Sequence, residues 1–275
     1  MKQLLKNHTT FRIGGPAELF AIPSNIDELQ KLLKTNRQKL FILGGGSNLL
    51  VSDSGFAGLV IKTEKINYIK RSGNQITAGA GTPLPKLIRY LSNAGLSGLE
   101  QLAGIPGTVG GAVKGNAGAN GSAIGEYVEI VKGFTNKGKQ KKYSKKRLKF
   151  SYRKSSISGI IYEVVFKFKK SSKKIIQQRI KKAIQERKKK QPWGEYSAGS
   201  IFKNPKGMSA WRLIEGVGLK GQRVGGAMVS KKHANFIVNC GNATAQDVKK
   251  LILKMKTTIE KKFKILLRNE VVFVE

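Results

Sequence analysis

Cysteine and histidine are nearly absent from the sequence: Cys240 is the single cysteine, and 275 residues contain two histidines. One cysteine excludes an intrachain disulfide framework and any zinc or iron–sulfur site built from several cysteines. Two histidines argue against a histidine-rich centre, so we expect no bound metal. We expect Cys240 itself to be a small core residue.

Acidic residues are scarce as well, since 16 Asp and Glu stand against 52 Lys and Arg and give a formal charge of +36. Such a charge favours anionic partners, whether nucleic acids, anionic lipids or phosphorylated ligands. The basic residues concentrate between 137 and 190, where residues 172–190 predict a helix whose apolar face carries Ile176, Ile180, Ala183 and Ile184. Because this segment lacks the interleaved aromatic residues of nucleic-acid binders, we interpret it as a solvated face. A basic RNA-binding protein remains the alternative.

The sequence has no run of about 18 apolar residues and no apolar signal-peptide core in residues 1–15. We therefore expect a cytoplasmic protein without a membrane span. The 40% hydrophobic share is enough to build a packed core. The length is typical of one large domain or two ordinary ones.

Apolar periodicity predicts alternating strands and helices. Residues 19–43 indicate a β-α-β unit whose helix is capped by Ser24 with Asp27. A second helix is predicted after Thr82 as N-cap, with Pro83 in its first position. Near the end of the chain, Thr244 and Asp247 predict the start of a further helix, followed by a strand over 269–275.

Two glycine-rich loops, at 44–48 and 104–121, follow apolar segments. Neither matches the dinucleotide fingerprint or the Walker A loop. Glycine allows tight turns and lets backbone N–H groups face a phosphate directly. Since two such loops occur with interleaved polar side chains, we favour a long cofactor that carries a diphosphate. The residues alone do not identify this cofactor.

Seven blocks of residues are spread over the chain: 11–17, 43–49, 104–111 with 116–119, 151–155, 198–205, 225–227 with 233–235, and 269–271. In this order they resemble the UDP-N-acetylenolpyruvoylglucosamine reductase family. The chain is similar to the shorter subtype, because it lacks an insertion between Ile157 and Val164. Asn120 stands where the family pattern suggests tyrosine.

The resemblance implies an α+β fold. It consists of an FAD-binding domain of the p-cresol methylhydroxylase and vanillyl-alcohol oxidase type and a C-terminal α+β substrate domain. The implied division is 1–170 (subdomains of about 1–58 and 59–170), a basic helical connector at 171–196, and the C-terminal domain at 197–275. FAD would be bound non-covalently by Gly44, Gly45, Gly46, Ser47, Asn48, Leu49, Gly104, Ile105, Pro106, Gly107, Thr108, Gly110, Gly111, Asn116, Ala117, Gly118 and Ala119.

The resemblance also implies the reaction: NADPH reduces FAD, and hydride then passes to the enolpyruvyl ether of UDP-N-acetylglucosamine, giving UDP-N-acetylmuramate for peptidoglycan synthesis. Arg153 would stabilise the enolate, Ser200 would donate the proton, and Glu270 would assist at the same carbon. We expect a monomer that requires no nucleic acid. A flavin oxidase of the same fold is the closest alternative. The implied substrate contacts are Tyr152, Lys203, Asn204, Lys220 and His233.

Overall fold

The computed structural model describes residues 3–275. Its strands are short and its helices are mostly separated by several strands. Short 3-10 turns lie at Leu5–His8, Glu100–Leu102, Ile124–Tyr127 and Lys145–Arg147. The α-helices of this range are α1 (Ile26–Thr35), α2 (Leu84–Asn93), α3 (Val109–Lys114), α4 (Lys173–Lys190), α5 (Ala210–Gly216) and α6 (Ala245–Phe263).

The strands of the same range are β1 (Gln3–Leu4), β2 (Pro16–Ala21), β3 (Leu40–Leu43), β4 (Leu49–Val51), β5 (Phe56–Lys62), β6 (Ile69–Ser72), β7 (Gln75–Gly79), β8 (Leu96–Ser97), β9 (Gly118–Ala119), β10 (Ser122–Ala123), β11 (Val128–Phe134), β12 (Gln140–Ser144), β13 (Phe150–Ser151), β14 (Lys154–Ser155), β15 (Ile160–Lys167), β16 (Lys169–Lys170), β17 (Tyr196–Ser200), β18 (Arg223–Val224), β19 (Ala227–Val229), β20 (Phe236–Asn239) and β21 (Val272–Val274).

The described chain divides into two compact units that are discontinuous in sequence. The central unit comprises Phe20–Gly45 and Gly58–Glu186, and the terminal unit comprises residues 3–19, Gly46–Ala57 and Arg187–Glu275. The implied domains at 1–170, 171–196 and 197–275 follow a different division, because two N-terminal segments group with the C-terminal part. As a functional division, those domains stay a prediction.

The central unit is built around an antiparallel sheet in the order β12-β11-β15-β7-β6. Val131 pairs with Val164, and Val164 pairs with Ala78, so their side chains share one face. This face contributes to a buried core with the apolar residues of α2 and α3. The predicted basic helix is confirmed as α4, where Ile176 and Ala183 are buried.

Two predicted helix starts were wrong by one residue. Asn25 caps α1 by accepting the Glu28 N–H at 2.8 Å, so the cap is not Ser24. Asparagine serves this position as well as serine does, and Asn25 has the extended backbone that a cap requires. At α2 the cap position is Pro83, since the Thr82 hydroxyl donates to the Tyr68 carbonyl at 3.0 Å.

The terminal unit contains an antiparallel sheet in the order β17-β20-β19-β18, against which α6 packs. The predicted cap of α6 is confirmed: Asp247 N–H donates to Thr244 Oγ1, and Thr244 N–H donates to Asp247 Oδ2, each at 3.0 Å. Asp53 accepts the Ala245 N–H at 2.8 Å and secures the same helix start. The predicted final strand is shorter than 269–275, because only Val272–Val274 pairs with β4.

Cys240 is exposed, so its assignment to the core was wrong. It follows β20, whose buried run ends at Asn239. None of the described helices has the length and apolar character needed to cross a membrane.

Candidate functional site

The two glycine-rich loops meet inside the central unit. A Cβ on Gly45 would lie 2.6 Å from the Gly107 Cα, and one on Gly44 would lie 2.6 Å from the Thr108 Oγ1. These distances are shorter than real Cβ contacts, so the approach of the loops requires glycine at both positions. The structure thus brings together two segments that the sequence assigns to one cofactor.

Two adjacent glycines of the second loop, Gly110 and Gly111, have different surroundings. A Cβ on Gly110 would lie 2.8 Å from the Ala80 Cβ, and the Gly110 N–H donates to the Ala80 carbonyl at 2.8 Å. Gly111 is exposed, and a Cβ there would meet only the Thr108 Oγ1, at 3.7 Å. Packing against Ala80 is therefore enough to explain glycine at 110, and the predicted contact of Gly110 with FAD stays a prediction.

The open backbone at Gly111 fits FAD. A diphosphate approaches backbone most closely where no side chain intervenes, and Gly111 lies in the first turn of α3. The implied residues Gly104–Gly107 precede this turn, and Ala117–Ala119 follow α3, with Gly118–Ala119 forming β9. Their contacts with FAD remain a prediction.

The rest of the first loop belongs to the terminal unit. Gly46 has a φ of +63°, and a Cβ there would lie 2.0 Å from the His8 carbonyl oxygen, so protein packing again explains the glycine. Asn48 donates its side-chain N–H to the Glu270 carbonyl at 3.0 Å. Leu49 begins β4 directly afterwards. A predicted cofactor residue is thereby placed beside a predicted catalytic residue.

Arg153 lies in the turn between β13 and β14. Its Nη1 donates to the Gly118 carbonyl at 2.9 Å, and its guanidinium lies 5.3 Å from the centre of the exposed Tyr152 ring. Its φ of +54° is in the left-handed region, which costs a residue such as arginine roughly 1–2 kcal/mol. Surrounding contacts must hold this turn, as is common at functional sites.

Ser200 ends β17 opposite Phe236, after an irregularity in the pairing that begins at Ser197. The Glu270 N–H donates to the Ile201 carbonyl at 2.8 Å, so the segments that carry Ser200 and Glu270 are hydrogen-bonded neighbours. They are 70 positions apart in the sequence. The terminal unit therefore assembles two of the predicted catalytic residues.

The predicted substrate residues of the terminal unit form two groups. Lys203 and Asn204 follow Ser200, where Lys203 N–H donates to the Arg268 carbonyl at 2.9 Å and Asn204 accepts the Ala210 N–H at 3.0 Å. Lys220 forms an ion pair with Glu215 at 2.8 Å.

His233, the last predicted substrate residue, belongs with Lys220. Burial and the charge of Lys220 lower the pKa of His233, while Glu215 opposes that shift. The imidazole Nδ1 accepts the Asn235 N–H at 3.3 Å, which is compatible with a neutral ring.

Asn235 was not among the predicted site residues, although it is 3% exposed and holds the Ser200 segment. Its Oδ1 accepts the Phe202 N–H at 3.0 Å, and its Nδ2 donates to the Phe202 carbonyl at 2.8 Å. Its own carbonyl accepts the Ile201 N–H at 2.8 Å. A polar residue between Ala234 and Phe236 was the signal that could have identified it.

Comparisons with known proteins match both parts of the chain. Residues 17–144 match the FAD binding domain family, and residues 191–274 match the family described as UDP-N-acetylenolpyruvoylglucosamine reductase, C-terminal domain. The reductase of Halalkalibacterium halodurans is 42% identical over 278 aligned residues, covering 98% of this chain and 92% of that protein. The reductase of Bacillus subtilis is 42% identical, covering 97% and 91%.

The crystal structure of the reductase from Thermus caldophilus is similar with a TM-score of 0.88 and 41% identity, covering 100% of this chain and 98% of that chain. The fold and the glycine loops define an FAD-binding α+β flavoprotein, which confirms the expected fold class and cofactor. The C-terminal match and the full-length relatives narrow this class further: the chain belongs to the UDP-N-acetylenolpyruvoylglucosamine reductase family.

Proposed function

We propose that the protein reduces the enolpyruvyl ether of UDP-N-acetylglucosamine to UDP-N-acetylmuramate, with NADPH as the reductant, in the synthesis of peptidoglycan precursors. The observation that carries this proposal is the similarity over both parts of the chain, which spans 98% of it at 42% identity. The enzyme class is an FAD-dependent oxidoreductase. The proposed functional domains are 1–170 and 197–275 with the connector at 171–196, supported by the family matches at 17–144 and 191–274.

The open turn at Gly111 and the adjoining residues of both glycine loops would hold FAD. When bound, FAD supplies the capacity to take hydride from NADPH and pass it to the enolpyruvyl methylene carbon. The loops contribute backbone groups, since the approach of Gly45 to Gly107 leaves no room for side chains there. Their role is to bind and orient the cofactor.

The steps that follow hydride addition, stabilisation of the anion and its protonation, are assigned to Arg153, Ser200 and Glu270. After hydride addition and before protonation, the substrate has negative charge on the carbon next to its carboxylate. A planar guanidinium such as that of Arg153 suits this delocalised anion. Ser200 donates the proton to that carbon; a hydroxyl is a weak acid, so the donation depends on fixed geometry and on the strong basicity of the carbanion. Glu270 acts beside Ser200, to whose segment it is hydrogen-bonded.

Anionic ligands suit the charge of this protein. The substrate and NADPH both carry phosphate groups, and a net charge of +36 would accelerate their encounter. Tyr152, Lys203, Asn204, Lys220 and His233 are the proposed substrate contacts. A cytoplasmic location and a monomeric state complete the proposal, and size-exclusion chromatography tests the latter.

The visible spectrum of the purified protein tests the proposal directly. We expect a yellow protein whose flavin absorbance is bleached by NADPH, returns slowly in air, and returns rapidly with the enolpyruvyl substrate. Rapid reoxidation by air alone would indicate the flavin oxidase. A colourless protein that does not take up FAD but binds RNA in a salt-sensitive manner would support the RNA-binding alternative.

The order of binding gives a second test. If NADPH and the enolpyruvyl substrate use the same face of the flavin in turn, double-reciprocal plots of initial rates are parallel. Intersecting lines without substrate inhibition would show two separate binding sites.

A further inference from the structure

Asn116 lies within the second glycine-rich segment, 104–121, and is one of the residues implied to bind FAD. The structure places its amide elsewhere. The residue is 7% exposed, its Nδ2 donates to the Ser151 carbonyl at 2.9 Å, and its Oδ1 accepts the Gly125 N–H at 3.1 Å. Both polar atoms of the side chain are therefore bonded to protein backbone.

Ser151 belongs to the β-hairpin 150–155, which carries Arg153 in its turn. Two further side-chain bonds connect this hairpin with the segment 114–118: Arg153 Nη1 donates to the Gly118 carbonyl at 2.9 Å, and Ser155 Oγ donates to the Lys114 carbonyl at 2.7 Å. Of the three side chains, that of Asn116 is the most buried, and its amide also accepts the Gly125 N–H of a third segment.

The backbone geometry explains why asparagine occupies this position. Asn116 has a φ of +45°, in the left-handed region that asparagine tolerates better than most residues. Arg153, whose φ is +54°, has no such preference, so its turn depends on contacts from outside the hairpin. Asn116 supplies one of these contacts at Ser151, two residues before Arg153.

We propose that Asn116 is a positioning residue: it holds the Arg153 hairpin against segment 114–118 of the second glycine-rich loop, and it does not bind FAD through its side chain. The inference rests on the proposed function, in which Arg153 stabilises the enolate. It predicts that the orientation of Arg153, and with it the step that consumes reduced flavin, depends on the Asn116 amide. Flavin binding and flavin reduction by NADPH do not depend on it.

The test uses two substitutions, Asn116→Asp and Asn116→Gly. Aspartate keeps the acceptor for Gly125 but places an oxygen against the Ser151 carbonyl, and glycine removes the whole amide while accepting the positive φ. Asn120→Asp and Asn120→Gly are matched controls, because Asn120 also has a positive φ (+50°) but is exposed and bonds to the Gln101 side chain. Flavin content, thermal unfolding, and the rates of both half-reactions are measured for each purified protein.

We expect both Asn116 variants to retain flavin and to be reduced by NADPH at the wild-type rate. Reoxidation by the enolpyruvyl substrate should slow by about tenfold, the size of one lost buried hydrogen bond. In an Arg153→Ala background, Asn116→Gly should cause little further loss, since the effect acts through Arg153. The Asn120 controls should match wild type.

Loss of flavin from both Asn116 variants, with folding retained, would overturn the inference in favour of direct cofactor contact. Equal slowing of both half-reactions, or a full additional loss in the Arg153→Ala background, would overturn it as well. If the Asp variant fails to fold, the Gly variant decides alone. Failure of the proposed function has a different signature: the flavin of the wild-type protein would not be reoxidised by the enolpyruvyl substrate.

Discussion

Two buried asparagines hold backbone near predicted catalytic residues, but they do so in different ways. In the terminal unit, Asn235 gives both atoms of its amide to one residue, Phe202, at 3.0 and 2.8 Å. In the central unit, Asn116 divides its amide between Ser151 and Gly125. Asn235 therefore satisfies both backbone groups of one residue, whereas Asn116 joins separate segments.

The difference concerns what each contact supports. Phe202 is 1% exposed and lies in the main core of the terminal unit, so the Asn235 contacts belong to the fold itself. Tyr152, in the turn next to Arg153, is 54% exposed, so the Asn116 contacts hold a surface hairpin. We therefore expect that loss of the Asn235 contacts destabilises the fold and displaces Ser200 together. Loss of the Asn116 contacts should displace Arg153 with a smaller effect on the stability of the fold.

The same substitution at both asparagines is the strongest test of this comparison. Asn235→Asp places a carboxylate oxygen against the Phe202 carbonyl in the core, and we expect it to lower the free energy of unfolding by about 3 kcal/mol. Asn116→Asp should lower it by about 1 kcal/mol. Urea unfolding with unchanged slopes measures both values. Equal losses would show that the two contacts are energetically alike.

The second prediction concerns Ser200, whose segment is fixed by the fold. Ser200→Ala should leave flavin reduction by NADPH near its normal rate and slow reoxidation by the enolpyruvyl substrate about 100-fold, because the proton donor is lost. Ser200→Cys should recover part of this loss, since a thiol also donates a proton. Ser197→Ala, on the same strand, is the control. Equal slowing of both half-reactions would exclude Ser200 as the proton donor.

The sequence predicted best those features whose signals are local. The cap formed by Thr244 and Asp247 lies within one segment, and it was confirmed as the start of α6. Competition between neighbouring residues explains the error at α1, since Asn25 and not the adjacent Ser24 forms the cap. Helix α3 was not predicted because glycines at 110 and 111 weaken the helical pattern, although Thr108 caps it.

The site was only partly predictable because its contacts are long-range. The Asn116 amide bonds to a residue 35 positions away, and the Asn235 amide to one 33 positions away. Nothing local to either asparagine specifies these partners. The same holds for the glycines. The sequence indicates a glycine-rich loop, but only the residues that surround each glycine in the structure distinguish Gly110, which faces Ala80, from Gly111, which is open.

Substitution of Gly110 and Gly111 tests the same difference, between a position that supports the fold and one that supports the site, in the backbone of a glycine-rich loop. Gly110→Val should destabilise the protein by about 1–3 kcal/mol through its clash with Ala80, with or without FAD. Gly111→Val should leave the stability of the flavin-free protein nearly unchanged and strongly reduce its flavin content. Thermal unfolding and the ratio of flavin to protein absorbance separate the two effects. Full flavin content in the Gly111 variant would show that FAD does not approach this turn.

The smallest expected effect concerns the charge around His233, whose Nδ1 accepts the Asn235 N–H. Burial, followed by repulsion from Lys220, lowers the pKa of His233, and Glu215 acts in the opposite direction. The imidazole of His233 therefore binds a proton more readily in the unfolded chain than in the folded protein. As a result, protonation of His233 favours unfolding as the pH falls below about 6.5. Lys220→Gln removes the repulsion and releases Glu215 from its ion pair, so the pKa of His233 should rise.

An NMR titration of the imidazole signals measures this pKa, and His8→Gln assigns the signals because the chain has two histidines. The acid-induced loss of stability should be smaller in Lys220→Gln than in wild type. The control is Lys231→Gln, at an exposed lysine two residues before His233, and it should leave the pKa of His233 unchanged. An unchanged or lower pKa in Lys220→Gln would show that burial alone keeps His233 neutral. The Asn235 N–H would then keep its acceptor through the burial of the ring, independently of the charge at position 220.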